Sequence, residues 1–176
     1  MVIIIRGLPG AGKTHFARDQ YPGALLLEGD QYFITPEGLY KFGEGKLSNS
    51  TEYVKIMLEA ALETGIKTVV ITGTSPDGIT AKEYAKIARH YGHTVKYIWI
   101  DYDNGNTNQN RHGVPSDVID KMKNSWQPIK GEVLMKRTAP HSIFNDALIV
   151  REREFPKWFQ QLQAKREKEQ CKTGGV

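Results

Sequence analysis

Short apolar runs alternate along this chain with stretches of helical periodicity. "VIIIR" at 2–6, "ALLLE" at 24–28, "KTVVIT" at 67–72 and "TVKYIWID" at 94–101 are rich in aliphatic and β-branched residues and end at polar residues or glycine. That pattern reads as buried strands. Between them, Lys13 to Gln20 opens a helix. "NSTEYVKIMLEAALET" at 49–64 places Tyr53, Ile56, Met57, Ala60 and Ala61 at helical spacing before Gly65. "DGITAKEYAKIARHYG" at 77–92 ends at Gly92, and "SDVIDKMKNSW" at 116–126 follows Pro115 with Ser116 as its expected cap. "DALIV" at 146–150 is read as a fifth strand and 154–170 as a charged, basic helix. Strands alternating with helices predict an α/β fold, a five-stranded parallel sheet flanked by helices. Neither an internal repeat nor a long linker divides the chain, so one domain over 1–176 is expected, with irregular stretches at 29–49 and 102–115.

Composition narrows this picture only a little. The 176 residues are 39% hydrophobic and 25% charged, ordinary values for a globular protein, and the length suffices for a real core. The one cysteine, Cys171, forms neither an internal disulfide nor a zinc cluster, which points to a reducing, cytoplasmic setting. No run approaches the ~20 apolar residues of a membrane span, and "MVIIIRG" is too short for a signal peptide. The net charge of +4 either favours an anionic partner or is a solvated basic surface.

The chemistry is written directly after the first strand. "GLPGAGKT" fits the P-loop pattern through Gly7, Gly12, Lys13 and Thr14, with Leu8, Pro9, Gly10 and Ala11 completing the loop. Glycines let consecutive backbone N–H groups turn toward phosphate oxygens, and the helix that follows adds its positive end. Lys13 is expected on the β- and γ-phosphates of ATP and the Thr14 hydroxyl on Mg²⁺. Asp30 follows the second strand. In an open α/β sheet ligands bind beyond the carboxyl ends of the strands, so Asp30 is either a base for an attacking hydroxyl or a turn residue after Gly29.

"RGLPGAGKTHFARD", "GDQYF", "GLYKF" and "RHGVPSDVIDKM", in this order, resemble the polynucleotide-kinase-like P-loop kinases. That group includes the phage 5′-hydroxyl polynucleotide kinases and the kinase-like domains of animal ubiquitin-ligase-binding proteins. The resemblance runs from about residue 1 to about 130. It implies that Asp30 is the general base, and that a lid over about 102–127 carries Arg111 over the nucleotide phosphates. Three departures stand out. The lid pair that is usually arginine and asparagine is Gln109-Asn110. An arginine three residues after the base is replaced by Phe33. The third strand ends in Thr72-Gly73-Thr74, so Mg²⁺ is expected to rest on Thr14, phosphates, water and Asp30.

Other residues stay open. Tyr32, Phe33, Tyr40 and Phe42 either stack on a nucleobase or form a small satellite core. Trp99 reads as core, and Trp126 as the more exposed tryptophan. His90 and His93 read as surface, and His112 as a loop histidine. Lys136, Arg137 and the basic residues from Arg151 to Lys168 form either a solvated face or a backbone-binding stripe. The expected function is an ATP- and Mg²⁺-dependent kinase acting on a nucleic acid, first the 5′-hydroxyl of DNA or RNA. The alternatives are a kinase for hydroxymethylated bases in phage DNA modification, a small-molecule kinase, and a nucleotide-dependent binding module.

Overall fold

The computed structural model describes residues 1–43, 46–101, 113–136 and 164. The chain begins with β1 (Val2–Arg6), α1 (Lys13–Gln20) and β2 (Leu25–Glu28), then a 3₁₀ turn over Gly29–Phe33. It continues through α2 (Leu47–Glu63), β3 (Val69–Gly73), α3 (Ile79–His90), β4 (Val95–Asp101), α4 (Ser116–Ser125) and β5 (Val133–Lys136). The strands pair in parallel in the order β2-β3-β1-β4-β5. The first connection crosses β3 to reach β2, and later strands are laid on the other side of β1. The loop after β1 therefore sits where the winding reverses, the usual ligand crevice of such sheets.

Strand alternation sorts the core into two layers. Ile3, Ile5, Val70, Ile98 and Ile100 point to the face covered by α1, where they meet Ala11, Phe16 and Ala17. Val2, Ile4, Leu27, Val69, Ile71 and Tyr97 point to the other face, against Val54, Leu58, Ala81 and Ala85 of α2 and α3. Because both faces are covered, the central strands read as continuous apolar runs, and β1 is buried throughout.

Three sequence expectations change. The fifth strand of the described sheet is Val133–Lys136; "DALIV" at 146–150 lies outside the described residues, as do the 102–112 part of the lid and, Ala164 excepted, the 154–170 helix. A four-residue edge strand, with Leu134 buried against the tryptophans, carries too little pattern to be read locally. Trp126 is buried, with 0% exposure. It lies just past α4 and folds back onto Trp99 at 5.0 Å between ring centroids, a placement that helical periodicity cannot register. Ser116 is the first residue of α4 and not its cap; Pro115 holds that place, and its carbonyl accepts from the N–H groups of Val118 and Ile119.

Candidate functional site

The loop between β1 and α1 is a tight backbone cradle. Gly7 lies so close to the strand beside it that a Cβ there would stand 2.7 Å from the Ile100 carbonyl oxygen. Gly12 precedes α1 at φ 84°, a left-handed conformation that glycine adopts without strain. The first turn of α1 then carries Lys13 and Thr14 at the carboxyl edge of the sheet. The Lys13 ammonium donates to the carbonyls of Gly7 and Leu8 at 2.9 and 3.0 Å. Burial lowers its pKa from the ordinary lysine value to about 8, while the carboxylates of Asp30 and Glu28 pull it back up. A buried ammonium beside two carboxylates has much to gain from the negative charge of a phosphate.

The carboxylate missing from the end of β3 comes from the neighbouring strand. β2 and β3 pair so that Glu28 lies opposite Thr72. By strand alternation Glu28 shares its face with Leu26, and Thr72 shares its face with Val70, both toward α1. There Thr14 donates to Glu28 Oε1 at 2.5 Å and Thr72 donates to the same oxygen at 2.9 Å. Among the described residues Glu28 Oε2 accepts no hydrogen bond. This half-buried carboxylate sits against the P-loop threonine and was not singled out in the sequence. The signal was available in hindsight: Glu28 and Asp30 are two apart at the mouth of a strand, beside a strand whose own acidic position holds threonine.

Asp30 lies in the 3₁₀ turn directly after β2 and is exposed. It is close enough to Lys13 to raise that group's pKa, so Asp30 and the P-loop lysine share one crevice. Its Oδ1 accepts a hydrogen bond from the Tyr40 hydroxyl at 3.2 Å. Phe33 is 5% exposed and lies at the centre of an aromatic cluster, with ring centroids 5.4 Å from Tyr32, 6.1 Å from Tyr40 and 5.1 Å from Phe42. It is therefore a core residue of this loop, and no cation stands in its place facing the site. The aromatics do form a satellite core, but only Phe33 is spent on it: Tyr32, Tyr40 and Phe42 keep 37%, 38% and 51% exposure. Arg111, with Gln109, Asn110 and His112, lies outside the described residues.

The donor set fits a hard dication. A threonine hydroxyl and a half-buried carboxylate with open lone pairs are oxygen ligands, and Mg²⁺ commonly takes one or two carboxylates and keeps several waters. Among the described residues no cluster of three or more His, Cys, Asp or Glu side chains competes for this role. No described helix is long and apolar enough to cross a membrane.

Known proteins agree with this architecture. A family model described as an AAA domain matches residues 2–129. Human NEDD4-binding protein 2 is 25% identical over 152 residues, a stretch that is 81% of this chain and 8% of that protein. The chain thus spans a small fraction of its curated relative. Among solved structures, a gluconokinase from Sinorhizobium meliloti superposes with a TM-score of 0.54 at 11% identity, covering 99% of this chain and 97% of that one. A protein named as a kinase from Chloroflexus aurantiacus gives 0.59 at 13% identity, covering 97% and 96%. At such identities the likeness is one of fold, a five-stranded parallel sheet flanked by helices with the P-loop at its crevice. With the family model spanning both the loop and the α4 region, the chain belongs to the AAA domain family and has the P-loop kinase fold.

Proposed function

We propose that this chain is an ATP-dependent kinase that moves the γ-phosphate to an acceptor hydroxyl. The observation that carries the reading is the convergence of three functions in one crevice: the glycine cradle with Lys13, the Thr14–Glu28 oxygen pair, and Asp30 at the open end of β2. The N–H groups from Gly7 to Gly12 bind the phosphates, and Lys13 exchanges its two carbonyl partners for phosphate oxygens. Thr14 and Glu28 are the residues that hold Mg²⁺, with Asp30 as a further contact. That cation, when bound, neutralises charge on the transferring phosphoryl group. Asp30 accepts the acceptor's proton or orients its hydroxyl. Arg111 from the lid is assigned to the transition-state charge, as lid arginines are in enzymes of this type.

The acceptor we favour is a nucleic acid, first the 5′-hydroxyl of DNA or RNA. The net charge of +4 and the exposed rings beside Asp30 support it. A hydroxymethyl group on a modified base is the second reading, supported by the buried Phe33 that stands where a phosphate-holding arginine is expected. Both are tested by transfer from γ-labelled ATP to a panel of 5′-hydroxyl oligonucleotides, hydroxymethyl-base DNA and free nucleosides. Asp30→Asn keeps shape but cannot take the proton. Transfer should fall by about 10²–10⁴-fold with ATP affinity nearly unchanged. Loss of ATP binding in the variant would reassign Asp30 to the cation, and a wild-type protein inert toward every hydroxyl would end the kinase reading.

A further inference from the structure

The segment after Asp30 is not a plain loop. Ile34 and Tyr40 form an antiparallel bridge, and the Thr35 N–H donates to the Leu39 carbonyl and the Lys41 N–H to the Phe33 carbonyl, each at 2.8 Å. Gly38 turns the hairpin at φ 79°. Buried Phe33 packs against Tyr40 and Phe42 of the returning arm, and Tyr40 in turn reaches Asp30. The flap keeps its two rings and its lysine in water: Tyr40, Phe42 and Lys41 are exposed, and Tyr32 adds a third ring, 5.4 Å from Phe33. Folding does not bury these rings, and Tyr40 touches the Asp30 carboxylate.

We propose that the 33–42 flap is the acceptor platform of this site: Tyr40 is a positioning residue that holds one oxygen of Asp30, and the faces of Tyr40 and Phe42 take a nucleobase whose own nucleotide presents the hydroxyl. This inference rests on the kinase reading above and extends it to the acceptor side. Its physical logic has three parts. The Tyr40 hydroxyl, 3.2 Å from Asp30 Oδ1, donates its proton to that oxygen. With Oδ1 so engaged, the carboxylate is held about its terminal torsion at the root of the flap, beside the place where an acceptor lying on these rings would present its hydroxyl. Exposed rings flanked by lysines, here Lys41 and Lys46, are the pairing that binds single-stranded nucleic acid, a stacking face with a cationic rim. Position 33, where a phosphate-holding arginine is expected, holds the buried Phe33 and lends no cation to the acceptor side.

The test uses the whole chain, ATP and a 5′-hydroxyl oligonucleotide with 2-aminopurine as its first base, a probe whose fluorescence falls on stacking. Wild-type protein should quench it saturably. Tyr40→Leu and Phe42→Leu should each weaken that binding by about 5–100-fold, the worth of one stacked base, with ATP affinity and melting temperature unchanged. Tyr40→Phe keeps the ring and loses the hydroxyl. It should bind the probe as wild type does while kcat for transfer drops by about 10–100-fold, the value of one hydrogen bond to a charged group. Absence of saturable quenching, wild-type affinity for the probe in both leucine variants, or displacement of the probe by a simple polyol would overturn the platform. Wild-type kcat in Tyr40→Phe would overturn the positioning role. Saturable, ring-dependent quenching without any transfer would uphold the platform, and both the kinase reading and the positioning role would fall.

Discussion

Two carboxylates flank the root of the phosphate loop, and the protein holds them in opposite ways. Glu132 lies on the face of α2 and α3, where its side chain is 3% exposed and Arg6 beneath it 1%. Arg6 ends β1, one residue before the cradle. Its guanidinium donates to both Glu132 oxygens at 2.8 and 2.9 Å and to the carbonyls of Ser75, Pro76 and Gln127, and it stacks 4.7 Å from the centre of the Trp126 ring. The Ile129 N–H fills a further lone pair of Glu132. Glu28 lies on the α1 face, half exposed, held through one oxygen by two neutral hydroxyls. A carboxylate saturated by a permanent cation has nothing left to offer a ligand. One oriented through a single oxygen by neutral donors keeps its second oxygen open to a ligand. The first arrangement builds the frame that ties the loop to the α4–β5 connection, and the second is suited to chemistry.

The largest effect should come from breaking the frame. Arg6→Met or Glu132→Gln leaves a buried partner unmatched, and either change should destabilise the fold by about 3–5 kcal/mol in urea unfolding. The double variant Arg6→Met/Glu132→Leu should recover a good part of that loss, because it removes both charges together. Singles that unfold at the wild-type urea midpoint would remove Glu132 from the structural side of the comparison.

Glu28→Gln should act in the other currency. The hydroxyl donors still find an amide oxygen, so unfolding stability should move by only about 1 kcal/mol. The Mg²⁺ concentration needed for half-maximal nucleotide binding should rise about 10–100-fold, the usual scale for losing a partner that supports a metal site. A variant with unchanged Mg²⁺ dependence and a large loss of stability would make Glu28 a second frame residue and erase the contrast.

The smallest effect is the one that pH reads. In the free protein the Lys13 pKa is lowered to about 8, chiefly by burial, and the charge of a bound triphosphate raises it again. Binding above about pH 8 must therefore take up a proton. Nucleotide affinity should be flat below that point and fall above it, by no more than about tenfold per pH unit. Calorimetric titration from neutral to alkaline pH checks this, and Lys13→Gln should flatten the profile. The same slope in Lys13→Gln would assign the titration to another group.

Most of what was legible in the sequence was local. The run Val2–Arg6 followed by glycines and Lys13-Thr14 defines a strand, a cradle and a helix from consecutive residues, and all three form with those boundaries. Apolar runs and helical periods likewise indicated β2, β3, β4 and the helices between them to within a residue or two, since each rests on its own spacing. Asp30 was legible as a residue at a strand mouth, and Trp99 as core, for the same reason.

Only tertiary structure decided the rest, because the partners are far apart in the chain. The parallel register of β2 on β3 brings Glu28 opposite Thr72, and so supplies from one strand the carboxylate that the neighbouring strand lacks. The burial of Trp126 and the pairing of Arg6 with Glu132 depend on how the chain after α4 returns to β1. Residues two apart share a strand face by backbone geometry alone, which any reader of the sequence can apply. Which strands become neighbours, and in what register, follows from packing two covered faces at once, and that is a property of the whole fold.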